Sequence, residues 1–241
     1  MLTIQQLSKS FKSEKDTISV LNNITTKINK GDFVMIMGES GAGKSTFLNC
    51  ISTLDKPTSG TVVLDDKNIL ELKNNEIQKL RLEKLGFIFQ ENHMIETLTV
   101  IENVMISRLQ IDKDAKVRAT SLLQQLRIEH IANKMPHQIS GGERQRCAIA
   151  RALMNEPKIL FADEPTASLN PMVAAEIMEI LKDLNNQGQT IVMVTHSIKM
   201  ASYGTRLLLL SKGTFGVDQP LQKLSEQERV DKIVSLVVDV L

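Results

Sequence analysis

Residues 38–46 read Gly-Glu-Ser-Gly-Ala-Gly-Lys-Ser-Thr and fit the pattern G-x-x-x-x-G-K-[ST]. An apolar run, "FVMIM", precedes them and an apolar helical stretch, "FLNCIS", follows. The glycines let backbone N–H groups curve around an anion, and a helix start adds positive potential. The expected binding loop is Gly38, Glu39, Ser40, Gly41, Ala42, Gly43, Lys44, Ser45 and Thr46. Lys44 is placed to take the β- and γ-phosphates of a nucleotide, Ser45 to ligate Mg²⁺ through its hydroxyl, and Thr46 to hold the α-phosphate.

A second stretch supplies carboxylates. "KILFADEP" is an apolar strand that ends in Asp163 and Glu164. A carboxylate at the C-terminal edge of a buried strand can hold Mg²⁺ through water. Glu164, one residue further, is positioned to polarise the water that attacks a γ-phosphate.

A third stretch, "QISGGERQR" at residues 138–146, is a glycine-rich helix start with no lysine. Ser140 and Glu143 make an S-x-x-E capping box. Gly141 and Gly142 expose N–H groups that suit a terminal phosphate. One chain holds one nucleotide at its own lysine loop. Two chains paired head to tail would let each serine loop complete the other's site, and the lysine then comes from the partner.

These motifs need elements to position them. Short continuous apolar runs recur at residues 33–37, 86–89, 159–162, 191–194 and 207–210, as expected for strands buried on both faces. Helical segments between them, such as "PMVAAEIMEILKDL" with its stripe Val173, Ile177, Ile180, Leu181 and Leu184, imply a parallel sheet wrapped by helices. Residues 1–30 and 57–70 alternate as in a small antiparallel β lobe, and residues 91–155 read as an inserted helical subdomain. The expected architecture is α/β: a P-loop NTPase core at 1–90 and 156–241 carrying the β lobe, with the insertion at 91–155 holding the serine loop, all in one domain. Ser225 and Glu228 open a final helix whose stripe is Val230, Ile233, Val234, Val237 and Leu241.

Bulk numbers agree with a globular enzyme. The 241 residues are 42% hydrophobic and 24% charged, with 29 Lys and Arg against 28 Asp and Glu, so bulk charge does not drive nucleic-acid binding. No apolar run approaches the ~20 residues of a membrane span, and the start lacks a signal-peptide core. Cys50 and Cys147 are far apart and read as reduced, buried thiols. A soluble, cytoplasmic protein is expected.

The order of the motifs resembles that of the nucleotide-binding subunits of ABC transporters over essentially the whole chain. "SGGE" stands where that family has S-G-G-Q. The resemblance implies ATP and Mg²⁺ as cofactors and a head-to-tail homodimer in which Ser140, Gly141, Gly142 and Glu143 meet the γ-phosphate of the opposite subunit's ATP. It also implies an integral membrane permease as partner, with the chain held at the inner face of the cell membrane. Gln90, ending "FIFQ", matches the glutamine that senses Mg²⁺ and γ-phosphate and links to the membrane subunit. His196 in "VMVTHS" matches the histidine that contacts the γ-phosphate and orients water with Glu164. Phe11 lies where the family stacks an aromatic on adenine. Met94, Ile95 and Leu98 are candidate docking residues.

Two positions depart from the family. Glu143 brings a carboxylate toward the phosphates; the helix N-terminus, Arg144 and Arg146 are expected to offset it, with little loss. Asn170, in "PTASLN", replaces a customary aspartate and keeps hydrogen-bonding capacity without the charge. "LGFIFQ" and "LTVIENV" resemble the subset serving lipoprotein release, macrolide efflux and peptide-antibiotic resistance. Two alternatives remain open at this level: a soluble ABC ATPase, and a nucleotide-gated scaffold not coupled to transport. The scaffold should lack Glu164 or His196, and both are present.

Overall fold

The computed structural model describes residues 1–12, 16–108 and 113–240. Six strands form the central sheet: β3 (Phe33–Gly38), β6 (Leu85–Ile88), β7 (Ile159–Asp163), β8 (Thr190–Val194), β9 (Arg206–Ser211) and β10 (Thr214–Pro220). Their order is β10-β9-β3-β8-β7-β6, parallel except for β10, which pairs antiparallel with β9. The apolar runs are continuous because both faces of this sheet are covered. Phe33, Met35 and Met37 enter one core while Val34 and Ile36 enter the other, and the same alternation divides Leu207 and Leu209 from Leu208 and Leu210.

One core lies against helices. These include α3 (Val100–Met105), α4 (Lys113–Gln125), α5 (Gly141–Leu153), α6 (Pro171–Asn186), the short α7 (Ile198–Ala201) and, through the fully buried Ile233, the last helix α8 (Glu226–Val240). The other core is closed by α1 (Lys44–Ile51) and a second sheet. That sheet contains β1 (Leu2–Lys12), β2 (Thr17–Ile28), β4 (Ser59–Leu64) and the short β5 (Lys67–Asn68), in the order β2-β1-β4-β5 and antiparallel throughout. The small antiparallel β lobe is therefore present as expected, and among the described residues α4 lies between α3 and α5.

Some details differ from the sequence expectation. Strand β10 and helix α2 (Asn74–Lys84) have no strong apolar pattern. β10 is an edge strand with alternate residues only half covered, and α2 buries no side chain fully. The buried face of α6 is Ala174, Ile177, Met178, Leu181 and Leu184; Val173 and Ile180 sit at its margin. Among the described side chains of α8 only Ile233 is fully buried, and Val234 is 42% exposed, because the helix rests on the core along a narrow line. Ser225 caps that helix through Glu228 as expected (Ser225 N to Glu228 Oε2, 2.7 Å). Leu241 lies outside the described residues. Among the described residues no helix is long and apolar enough to cross a membrane.

Candidate active site

The C-terminal edges of four neighbouring parallel strands carry the proposed chemistry. The loop after β3 holds residues 38–46, and Gln90 follows β6. Asp163 ends β7, Glu164 follows it, and His196 lies two residues beyond β8. In open α/β sheets this carboxyl edge is where ligands bind.

The loop after β3 is shaped by its glycines. Gly43 has φ +100° and precedes the first turn of α1, and a Cβ there would lie 2.9 Å from Val20 Cγ1, so both conformation and space call for glycine. Lys44 is 8% exposed, and its Nζ donates to the carbonyls of Gly38 (2.9 Å) and Glu39 (2.8 Å). The ammonium is thus folded over its own loop, beside the N–H groups that open α1. Ser45 Oγ donates to Asp163 Oδ1 at 3.0 Å, joining the two motifs across 118 residues. Burial pushes the Asp163 carboxyl above its usual range and the neighbouring Glu164 adds to this, while the Ser45 hydrogen bond and Lys44 act the other way.

Glu164 turns out of the sheet with φ 46°, its N–H bonded to Val194 O at 3.1 Å. β7 and β8 pair Asp163 with Val194, so the residues just beyond the two strands emerge side by side. Glu164 Oε2 and His196 Nδ1 meet at 2.9 Å. The imidazole is 66% exposed and the carboxylate 24%, so both reach solvent where a substrate water would stand. Gln90 is exposed just past β6, and its side chain makes no hydrogen bond among the described residues. Phe11 is 45% exposed on β1, opposite Ile18 of β2, rather than being a core residue.

The serine loop forms the capping box read from the sequence. Ser140 caps α5: its Oγ accepts from Glu143 N at 3.3 Å, while Ser140 N and Oγ donate to Glu143 Oε2 at 2.8 and 2.7 Å. These bonds hold the Glu143 carboxyl below its usual range. Gly142 lies against α6, where a Cβ would come within 2.6 Å of Val173 Cγ1, and Gly141 faces Leu169 just before that helix. Arg144 and Arg146 do not offset Glu143 as expected from the sequence. Arg144 turns to Glu96 (3.7 Å) and Arg146 to Glu176 (2.6 Å) and Leu126 O, because each side chain reaches a partner on a neighbouring segment. The basic side chains near Glu143 are instead Lys134 and His130, whose Nε2 lies 3.6 Å from the carboxylate. Asn170 caps α6 by accepting from Val173 N at 3.0 Å.

Sequence reasoning missed the residues that hold this loop to the Gln90 segment. Gln145, 1% exposed on α5, accepts from Asn92 Nδ2 (3.0 Å) and donates to Phe89 O (3.4 Å). Arg151, further along α5, donates to His93 O at 2.8 Å and to Asn92 O. Asn103, fully buried on α3, binds the backbone of Ile95, Leu98 and Thr99. The available signal was a polar residue at a buried helical position, which must find partners. Cys50 and Cys147 are buried as expected, and burial pushes both thiols up to about 12.

Residues 21–167 match the family model described as ABC transporter. The chain belongs to the ABC transporter family. It is an ATP-binding cassette that hydrolyses ATP. It is 39% identical over 235 residues to the ABC transporter ATP-binding protein MJ0796 of Methanocaldococcus jannaschii, covering 94% of this chain and all of that one. A solved dimer of the MJ0796 cassette, in a post-hydrolysis state with ADP and Pi, matches with TM-score 0.84 and 40% identity over 93% of this chain and 100% of that chain. The cassette is also 42% identical over 211 residues to the lipoprotein-releasing system ATP-binding protein LolD of Buchnera aphidicola, over 86% of this chain and 92% of LolD. It is 41% identical over 212 residues to the macrolide export ATP-binding/permease protein MacB of Campylobacter jejuni, over 87% of this chain but 33% of MacB.

Proposed function

We propose that this cassette closes head to tail with a second copy around two ATP and, through hydrolysis, drives a membrane permease of the export, lipoprotein-release or antimicrobial-peptide-resistance kind. It would work as a single ABC ATPase domain, with residues 91–155 as the helical subdomain that presents the serine loop, at the inner face of the cell membrane. The observation that carries the hydrolytic part is the Glu164–His196 contact at 2.9 Å beside the Ser45–Asp163 pair. A scaffold that only sensed nucleotide would not need a carboxylate and an imidazole joined at the edge where the attacking water must stand.

Lys44 leaves the carbonyls of Gly38 and Glu39 for the β- and γ-phosphates, and the N–H groups of residues 41–46 surround the phosphate chain. Hydroxyl and carboxylate oxygens at Ser45 and Asp163 are the hard donors that Mg²⁺ takes, with phosphate and water oxygens completing its shell. Ser45 would bind the ion directly, Asp163 and Gln90 through water, and the ion would supply charge neutralisation at the β- and γ-oxygens. Glu164 accepts the proton of the attacking water, and His196 orients both. Ser140 and the N–H groups of Gly141 and Gly142 from the second copy meet the γ-phosphate, so ATP holds the dimer shut and its cleavage releases it. Phe11 stacks on the adenine.

For the permease, a groove of about 590 Å³ includes Leu54, Phe87, Phe89, His93, Ile106 and Arg151 in its lining. Leu54 and Ile106 are large apolar side chains left 39% and 45% exposed, which suits a short apolar helix from a membrane protein. Of the residues expected to dock, Ile95 is 39% exposed, whereas Met94 packs on the core and Leu98 is half-buried, so Ile95 is the one placed to contribute.

Replacing Glu164 by Gln tests the reaction. Turnover should fall by about 10²–10⁴-fold, as for loss of a general base, with ATP binding kept and an ATP-trapped dimer in solution. Unchanged turnover, or failure of ATP to trap a dimer, would refute the assignment.

A further inference from the structure

A buried ammonium lies under the aromatic platform. Lys9 of β1 is only 9% exposed, and its Nζ sits 4.7 Å from the centroid of the Phe11 ring. The same nitrogen donates to Asp55 Oδ1 and to Lys56 O, both at 2.8 Å. A lysine ammonium has three N–H donors. Asp55 Oδ2 also lies 2.8 Å from Nζ, so carboxylate and carbonyl oxygens take its donors while the positive charge still stands over the Phe11 ring, an arrangement that the ring quadrupole favours. Phe11 is nevertheless 45% exposed, so the ring has one side on a cation and a large area open.

The oxygens that hold Lys9 lie in the loop that follows α1 and is tied back to it. Asp55 N–H bonds Asn49 O at 3.1 Å, and Asn49 lies in α1, which begins at Lys44. The segment after Asp55 is joined again to β1, by Thr58 N to Ser8 O (2.8 Å) and Ser10 N to Thr58 Oγ1 (2.9 Å). Lys9 is therefore the charged link between the ring proposed for the base and the helix proposed for the phosphates.

We propose that Lys9 is a positioning residue for the nucleotide base. Its ammonium fixes the inner face of Phe11 and draws π-electron density toward that side. The outer face then stacks more favourably on an electron-rich purine. Asp55 neutralises the lysine, so its effect reaches the base through the ring and not the triphosphate through long-range charge. The proposal rests on the adenine role assigned to Phe11 above.

The test compares two ligands and two sites. Affinity for ATP and for inorganic tripolyphosphate is measured by calorimetry on the wild type, Lys9→Met, Phe11→Ala and the double variant. The expected result is a loss of about 3- to 10-fold in ATP affinity for Lys9→Met, of the size of the directional part of an aromatic stack. Tripolyphosphate binding should be unchanged, and Lys9→Met should cost nothing further once Phe11 is Ala. Lys9→Met leaves Asp55 without its cation, so Lys9→Met with Asp55→Asn is run beside it, with thermal melts to confirm folding. The same ATP-only loss is expected there. If Phe11→Ala weakens ATP but neither Lys9 variant does, the role of Lys9 is overturned and the stacking stands. If both ligands weaken equally in the Lys9 variants, Lys9 acts by charge and the proposal is also overturned. If Phe11→Ala leaves ATP affinity unchanged, the adenine role of Phe11 itself fails.

Discussion

The carboxylate of Glu143 in the serine loop opposes closure of the dimer on ATP. Glu143 Oε2 lies 2.7 Å from Ser140 Oγ. A phosphate oxygen that takes the single Ser140 hydroxyl proton in place of the carboxylate, at about 2.7 Å from Oγ, would stand about 5 Å from a Glu143 carboxylate still held by Ser140 N–H. Two unit charges at that distance repel by about 3 kcal/mol at an effective dielectric of 20 and by about 0.8 kcal/mol in bulk water. The Glu143 side chain is 28% exposed, between those limits. About 1–2 kcal/mol per site, over two sites, means that Glu143→Gln should tighten the ATP-bound dimer by about 30- to 1000-fold. Glutamine keeps the capping box, so the loop keeps its shape. The monomer should move the opposite way. It gives up charge-assisted bonds from Ser140 and a negative charge at a helix N-terminus, at a cost of about 0.5–1.5 kcal/mol. The sign with pH follows from the lowered carboxyl of Glu143. Its contribution is complete above the ordinary glutamate range and disappears as pH falls through the lowered value, so the difference in Tm between wild type and variant should vanish in acid. Dimer dissociation constants would be read by sedimentation at saturating ATP and Mg²⁺, in a Glu164→Gln background to prevent turnover. An ATP dimer no tighter than the parent, with the monomer destabilised as expected, would show that the carboxylate does not face the phosphate and would refute the reasoning.

Two other substitutions probe different parts of the site. Gly142→Ala should reduce turnover at least ~10-fold by pushing its Cβ into Val173, at 2.6 Å, and Val173→Ala in the same chain should restore most of it. No recovery in a steady-state ATPase assay would mean that Gly142 is required for close approach to phosphate instead. Asp163→Asn should raise Tm at neutral pH, because burial disfavours the ionised carboxyl, while lowering Mg²⁺-dependent turnover by about 100-fold or more. The gain in Tm should shrink as pH falls toward the range where Asp163 is protonated, and a loss of Tm at pH 7 would contradict the burial argument.

Much of this cassette was legible before folding because its main signals are local. A glycine pattern fixes which backbone N–H groups can face an anion, and a capping box fixes where a helix begins. An unbroken apolar run fixes a strand covered on both sides. Hence Gly43 at φ +100°, Ser140 with Glu143, and the five parallel strands followed from neighbours in the chain. Elements without an apolar signature, such as β10 and α2, did not, since half-covered residues can be polar without penalty. The partners of long side chains were equally hidden. Arg144 and Arg146 sit next to Glu143 in sequence, yet they pair with Glu96 and Glu176 on other segments.

The sequence by itself determined which groups are present and how each short motif bends. The tertiary structure alone decided which of them meet. Ser45 reaches Asp163 across 118 residues, Glu164 reaches His196 across 32, and Lys9 reaches Asp55 across 46. Sheet order and register place these atoms within hydrogen-bond reach, and both are set by burying two apolar faces at once, a property of the whole chain.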